Sequence, residues 1–270
     1  MTLISDVVSD NPEVTILMAS YGRLEYLKIA VKSVLNQSYS NYQVIIVDDG
    51  SDDDVIDWLK LLEAENDQVN VIFQEHQGVA AARVNGLNHC TSELVCILDS
   101  DDEFEGNALI KLVGVMQRCK GIQIVFTDIL EMKDNGETRI QRYKQFDSTH
   151  SMTLATLLTP RVPFKHSGTL FRRQTALALG GYDINLPCKI DIDFFLKFLA
   201  AGYLPVHCDE PVVSFRMHKK SISINRLLGI KVWMRLIDLY GPRSVVIRLG
   251  IKLVRVSAEV LKRIYVEFRA

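Results

Sequence analysis

The 270-residue chain contains no run of eighteen uncharged apolar residues, so nothing in it reads as a membrane-spanning helix. Cysteine is scarce. The five present, Cys90, Cys96, Cys119, Cys188 and Cys208, are an odd number without a CxxC pair. They fit free thiols in a reducing compartment better than a disulfide framework or a zinc cage. The first thirteen residues hold three acids and no basic side chain, which does not read as a secretory signal. Neither sign of charge dominates: a formal net charge of -2 argues against a protein that coats nucleic acid. No GxGxxG follows the first apolar run, and GxxxxGK[ST], GxSxG and HExxH are all missing. Dinucleotide oxidoreductases, P-loop ATPases, α/β-hydrolases and zinc proteases therefore lack their signatures. No internal repeat or low-complexity segment is present. These features together read as a cytoplasmic protein.

What is present is a large apolar fraction, 48%, with 24% charged residues, enough to bury a sizeable core. Short β-branched runs at 14–19, 44–47, 69–73, 94–98 and 122–126 are apolar but for Thr15, Asn70 and Gln123, as strands buried on both faces should be. Between them, Leu24, Leu27, Val31, Val34 and Leu35 follow helical spacing, and so do Ala108, Leu112, Val113 and Met116. Strands alternating with helices predict an α/β fold with a mainly parallel, doubly wound sheet. Beyond Phe126 the rhythm changes. Asp134-Asn135-Gly136 signals a hairpin, residues 143–166 read as irregular, and a short strand at 169–171, a helix near Ile190 and strands near Val206 and Val212 follow. This half is expected to complete the same sheet and wall one side of a cleft.

In such a sheet, ligands bind beyond the carboxyl ends of the strands. Those ends carry Ala19-Ser20-Tyr21-Gly22-Arg23, Asp48-Asp49-Gly50-Ser51 and Asp99-Ser100-Asp101-Asp102. Five carboxylates at two strand ends repel one another unless cations sit among them. At an extended strand end, Asp99 and Asp101 project to one side. They form a hard, oxygen-rich half-site for Mg²⁺ or Mn²⁺ that phosphate oxygens could complete, although the same residues also suit a simple turn. Asp48 and Asp49 likewise fit a turn or a carboxylate that accepts a ring N–H. Arg83 follows the small residues 78–82, where a backbone could approach a diphosphate. An ordinary surface ion pair is its other reading. Asp191 and Asp193 open an apolar helix, where carboxylates often only complement the helix dipole. His218 lies among cations past the last strand, a setting compatible with a structural role or with metal and phosphate binding.

Taken in order, VTILMASYGR (14–23), SVLNQSYSNYQVIIVDDGSDD (33–53), GVAAARVNG (78–86), CILDSDD (96–102), SGTLFRR (167–173), GGYD (180–183), DIDFFLKF (191–198) and RMHKKSIS (216–223) resemble the family 2 glycosyltransferases. The resemblance spans about 14–223. It implies a GT-A fold, Rossmann-like and of the nucleotide-diphospho-sugar transferase type, in a catalytic domain over 1–218. It implies an inverting, metal-dependent, hexosyltransferase-type enzyme that uses Mn²⁺ or Mg²⁺ and a UDP- or dTDP-sugar donor. The acceptor would be a hydroxyl of a lipid-linked saccharide or polysaccharide in cell-surface glycan synthesis. By the same resemblance Ala19 and Tyr21 would line the base and ribose pocket, Asp49 would accept the uracil N3–H, and Arg83 would lie by the nucleotide. Asp99 would bind the ribose, Asp101 and Asp102 the metal with His218, and Asp191 would be the catalytic base. Two positions depart from the common family pattern: Ile190 stands where many members have Glu, and Gly22 where many have Asn.

A sugar-phosphate nucleotidyltransferase would need a Gly-rich, cationic N-terminal loop, which residues 14–23 do not provide. A catalytically silent scaffold binding only nucleotide or membrane is the third reading, against which Asp99, Asp101 and Asp191 argue. The charge is unevenly placed. From Lys219 to Ala270 there are 12 Lys/Arg against 3 Asp/Glu, a net of +9, leaving 19 against 30, a net of -11, in 1–218. Arg248, Lys252, Arg255, Glu259 and Lys262 recur at helical spacing among apolar residues. Residues 219–270 thus read as a basic amphipathic helical region. It either contacts anionic lipid peripherally through 243–269, at the inner face of a membrane, or docks on protein.

Overall fold

The computed structural model describes residues 11–118, 120–133, 136–159, 162–217 and 226–267, with the side chains of 226 and 260–267 left aside. The chain runs β1 (Val14–Ser20), α1 (Leu24–Leu35), β2 (Tyr42–Asp48), α2 (Asp53–Glu65), β3 (Val69–Phe73), α3 (Val79–His89), β4 (Leu94–Ile97), β5 (Glu103–Phe104) and α4 (Ala108–Arg118). It continues through β6 (Ile124–Met132), β7 (Thr138–Gln141), α5 (Thr149–Leu158), β8 (Leu170–Arg172), α6 (Arg173–Ala178), α7 (Ile190–Ala200), β9 (Val206–Arg216), α8 (Arg226–Tyr240) and α9 (Val245–Glu267).

The described strands form one sheet in the order β3-β2-β1-β4-β8-β6-β9-β5, with β7 paired to β6. β1 pairs in parallel with β2 and β4, and β6 in parallel with β9, whereas β5, β7 and β8 run the other way. Alternation along β1 explains its nearly unbroken apolar sequence. Leu17 faces a core shared with α3, α5, α7 and α8, while Ile16 and Met18 face a second core under α1, α2 and α4. α3 lies close to the sheet because Gly86 has no side chain; a Cβ there would stand 2.2 Å from Leu17 Cδ1.

The second half does complete the sheet, with two departures from the sequence reading. Residues 149–158, expected to be irregular, form α5. The Ser148 hydroxyl accepts from the Ser151 N–H to cap it, and Met152 and Leu157 are buried. The strands expected near Val206 and Val212 are one strand, β9, whose register against β6 shifts around Asp128 and Pro211. Of the turn residues 134–136, Asp134 and Asn135 lie outside the described set, but β6 and β7 pair antiparallel across them. Cys90, Cys96, Cys188 and Cys208 are free thiols, and three of them are buried; Cys119 lies outside the described residues. None of the described helices is long and apolar enough to cross a membrane.

α8 joins the core through Val232, Trp233, Leu236 and Ile237. α9 packs on it with its basic stripe turned inward. The Arg255 guanidinium stacks 3.4 Å from the Trp233 ring and donates to the Thr159 carbonyl, and Lys252 pairs with Asp238 at 2.7 Å. Burial pulls the Arg255 pKa down to about 10, with Glu259 opposing it.

Candidate active site at the strand ends

Three loops after β1, β2 and β4 are tied together by their own polar groups. After β2, the Asp48 carboxylate turns back onto the N–H and hydroxyl of Ser51, and that hydroxyl accepts the Gly22 N–H at 2.8 Å. Asp49 is 2% exposed. Its Oδ1 accepts from Gln77 N at 2.9 Å and Gln74 Nε2 at 2.7 Å, and its Oδ2 accepts from Gly78 N at 2.8 Å. Asp49 thus sits against the N-terminus of α3, where unpaired N–H groups favour an anion. Gly50 holds φ +80°, and a Cβ there would lie 2.8 Å from His76 N. The tight turn therefore admits only glycine without movement.

One residue that the sequence reading passed over stands here. The His76 ring stacks on Tyr21 with centroids 4.2 Å apart, and its Nδ1 lies 3.0 Å from Asp49 Oδ2. Tyr21 is otherwise exposed and Ala19 is half-buried. The same Nδ1 lies 3.0 Å from the Asp49 main-chain carbonyl, and an exposed aromatic ring beside a carboxylate acceptor can receive a planar base. No spacing or motif in the sequence singled out His76.

After β4, each carboxylate has its own partner. Asp99 pairs with the Arg83 guanidinium, Asp101 Oδ2 accepts from Arg23 Nη1 at 2.9 Å, and Asp102 Oδ1 accepts from Arg216 N at 3.0 Å. Asp102 is buried. Burial, followed by the charges of Asp99 and Asp101, raises its pKa well above the usual carboxylate range, with Ser167 and the Arg216 N–H opposing. Three all-oxygen side chains crowded into four residues match the donor chemistry of Mg²⁺ or Mn²⁺. Among the described residues, however, no three or more His, Cys, Asp or Glu side chains are grouped so that they could hold a metal ion by themselves. His218, the expected third contributor, lies outside the described residues.

The far wall is α7. Asp191 lies in its first turn, half-buried, and accepts no hydrogen bond among the described residues. Arg83 links it to the strand ends. Burial works against the Arg83 charge, but Asp99, Tyr182 and Asp191 together outweigh it and raise its pKa. Its guanidinium lies 5.7 Å from the centre of the Tyr182 ring, and the Tyr182 hydroxyl is 2.9 Å from His166 Nε2. Burial, aided by the Arg83 charge, holds the His166 pKa well below its usual value, so the ring is neutral. Tyr182 belongs to the GGYD stretch, a signal that could have marked it; His166 had none. Asp193 is structural: it is buried, accepts from Tyr240 Oη at 2.7 Å and pairs with Lys197 at 3.2 Å.

The backbone is strained at two places. Arg23 and Lys189 are the only described non-glycine residues with positive φ, at 51° and 60°. One bonds Asp101 and the other lies two residues before Asp191. Left-handed residues outside glycine cost about 1–2 kcal/mol each and persist where the surroundings hold them, frequently at functional sites. A cavity of about 660 Å³ lined by Asn36, Glu105, Lys111, Leu130 and Pro211 includes none of these residues.

The model of the family described as Glycosyl transferase family 2 matches residues 15–179, more than half of the chain. TuaG of Bacillus subtilis (strain 168), a glycosyltransferase named for teichuronic acid biosynthesis, is 26% identical over 227 residues, covering 82% of this chain and 85% of TuaG. EpsH of the same organism, a glycosyltransferase by name, is 34% identical over 226 residues, covering 79% of this chain and 63% of EpsH. Among solved structures, S. aureus TarS 1-349 in complex with UDP-GlcNAc has a TM-score of 0.68 at 15% identity, covering 89% of this chain and 70% of that one. The mannosyltransferase PcManGT from Pyrobaculum calidifontis, in complex with GDP-Man and Mn²⁺, has a TM-score of 0.62 at 17% identity, covering 95% and 73%. At such identities the two structures share the fold, a mixed α/β GT-A architecture.

Proposed function

The chain belongs to glycosyl transferase family 2, and on that premise we propose that it is an inverting, metal-dependent hexosyltransferase. It moves a sugar from UDP or dTDP onto a hydroxyl of a lipid-linked or polysaccharide acceptor in cytoplasmic steps of cell-surface glycan synthesis. The observation that carries this reading is the buried Arg83, whose charge acts on both Asp99 at the β4 end and Asp191 at the start of α7. The two groups that the reaction needs, one by the nucleotide and one by the acceptor, thus act on one buried cation.

The base stacks on Tyr21 over Ala19 and donates to Asp49, whose remaining donors hold the loop still. Asp99, oriented by Arg83, accepts from the ribose. Asp101 and Asp102, with His218, would hold Mn²⁺ or Mg²⁺, which when bound neutralises charge on the departing diphosphate. Asp191 takes the proton from the acceptor hydroxyl as its oxygen attacks the anomeric carbon. Attack from the α7 side, opposite the diphosphate, inverts the anomeric centre. The teichuronic acid biosynthesis in TuaG's name supports a surface-glycan setting, and the UDP-GlcNAc in the TarS complex supports a nucleotide-sugar donor.

The test is calorimetric titration with UDP, dTDP, GDP and CDP, each with and without Mn²⁺, on the wild type, Asp101→Asn and Asp191→Asn. Metal-dependent binding of UDP or dTDP that Asp101→Asn loses is expected. Asp191→Asn should keep nucleotide binding while abolishing transfer. No binding of any of the four by folded protein would overturn the donor site in favour of a silent scaffold, and transfer surviving in Asp191→Asn would remove the base assignment.

A further inference from the structure

α9 is assembled inside out. An amphipathic helix on a soluble body ordinarily buries its apolar arc and exposes its charges. Here Arg255 is 1% exposed against Trp233, Lys252 is paired to Asp238, and Ile251 is the buried apolar residue between them. Val246, Leu249 and Leu253, spaced to share the opposite arc, are 79%, 54% and 70% exposed. Val245, Ile247 and Val254 widen that arc, and all three are exposed. The docked geometry leaves no freedom to roll the helix over, because Arg255 is pinned to both Trp233 and the Thr159 carbonyl. The outcome is a continuous apolar strip on the molecular surface, the kind of patch that marks an interaction face.

Charge decides what covers it. The segment 219–270 carries a net of +9 and the rest of the chain -11. A second copy meeting this face about a two-fold axis would bring two strongly positive segments together. A bilayer with anionic headgroups is complementary instead, attracting the basic segment and repelling the acidic body, so that the C-terminal face is the one that approaches. Lys231 and Arg243, both exposed, lie on α8 and in the α8–α9 turn. We propose that the outward arc of α9 is a docking surface for an anionic lipid bilayer. The helix lies in the interface plane with Val246, Leu249 and Leu253 sunk to the acyl boundary, while its basic stripe clamps it to the body. The proposal does not rest on the donor-site reading; vesicle binding and nucleotide binding can each fail alone.

The experiment is co-sedimentation of the full chain with vesicles of phosphatidylcholine alone or with about one-third phosphatidylglycerol. It compares the wild type with Val246→Glu/Leu253→Glu. Both positions are solvent-facing, so circular dichroism and UDP titration should match the wild type. The expected result is binding to the anionic vesicles that weakens with salt, is at least about tenfold weaker in the variant, and is poor on phosphatidylcholine alone. Wild-type protein that stays in the supernatant, or a variant that pellets equally, overturns the proposal. So does equal binding to both vesicle types, which would remove the charge argument. Light scattering that finds a dimer split by the variant, with no vesicle binding, would assign the strip to a second copy.

Discussion

If Tyr21 and Asp49 receive a nucleotide base, His76 stands where the base must go. Its ring lies on Tyr21 at 4.2 Å and its Nδ1 lies 3.0 Å from Asp49 Oδ2, the same two contacts assigned to the base. A base can occupy that position only by displacing the imidazole, so the measured affinity is the base's contacts minus those of His76. Stacked aromatic pairs contribute about 0.5–1.5 kcal/mol, and a hydrogen bond adds roughly 0.5–1.5 kcal/mol net. The His76 side chain is 54% exposed, so solvent competes for both contacts, and a total of about 1–2 kcal/mol is reasonable. His76→Ala should therefore bind UDP about 5- to 30-fold more tightly than the wild type. Calorimetry in the presence of Mn²⁺ reads this directly, and Tyr21→Ala in the same background should cancel the gain. Unchanged affinity in His76→Ala would mean that the base does not use Tyr21. Weaker binding would mean that the imidazole swings aside and becomes a ligand itself.

Two further perturbations probe the wall behind the site. Arg83→Met leaves Asp99 without its cation beneath the Tyr182 ring; removing one partner of a buried pair costs about 3–5 kcal/mol, and partial exposure of Asp99 puts the expectation near 3. Urea denaturation checks it, and a loss under about 1 kcal/mol would show that the pair is solvated. The neutral, buried His166 predicts a pH dependence. Its folded pKa lies well below the unfolded 6.5, so as pH falls beneath 6.5 the unfolded chain binds a proton that the native one refuses. Stability should then fall by up to about 1.4 kcal/mol per pH unit until the folded value is reached. His166→Gln should flatten that slope while both proteins behave alike above pH 7.5 or so. An identical slope in the two would place the titration elsewhere.

The parts of this fold that could be read from sequence are those whose signal is local. β1, β2 and β4 are legible because strands covered on both faces leave nearly unbroken apolar runs, and their ends mark Tyr21, Asp49 and Asp99. α5 was illegible because its stretch mixes Ser, Thr and His with apolar residues beside two prolines. Its only announcement is the capping Ser148, a residue equally at home in a loop. β9 read as two strands because Asp209, Glu210 and Pro211 interrupt it, and the register shift that absorbs them exists only against β6. The orientation of α9 depends on Trp233 and Thr159, so helical periodicity could define its two faces without telling which one points inward. His76 was invisible for the same reason: its importance lies in meeting Tyr21, which is far away in the chain.

The five carboxylates at the two strand ends posed a charge problem, and the structure answers it one group at a time. Asp48 bonds Ser51, Asp49 takes the N-terminus of α3, Asp99 takes Arg83, Asp101 takes Arg23, and Asp102 takes the Arg216 N–H. Burial disfavours the charged form of Asp102. Every other carboxylate of the five has a polar or cationic partner within the protein. The same economy sets a condition on ligand binding. Arg23 reaches Asp101 from a strained left-handed backbone, about 1–2 kcal/mol above a relaxed one. Handing Asp101 to a bound cation would free the Arg23 guanidinium to meet phosphate. Metal and diphosphate binding should then be coupled through Arg23, each favouring the other, because one removes the carboxylate from the arginine and the other replaces it.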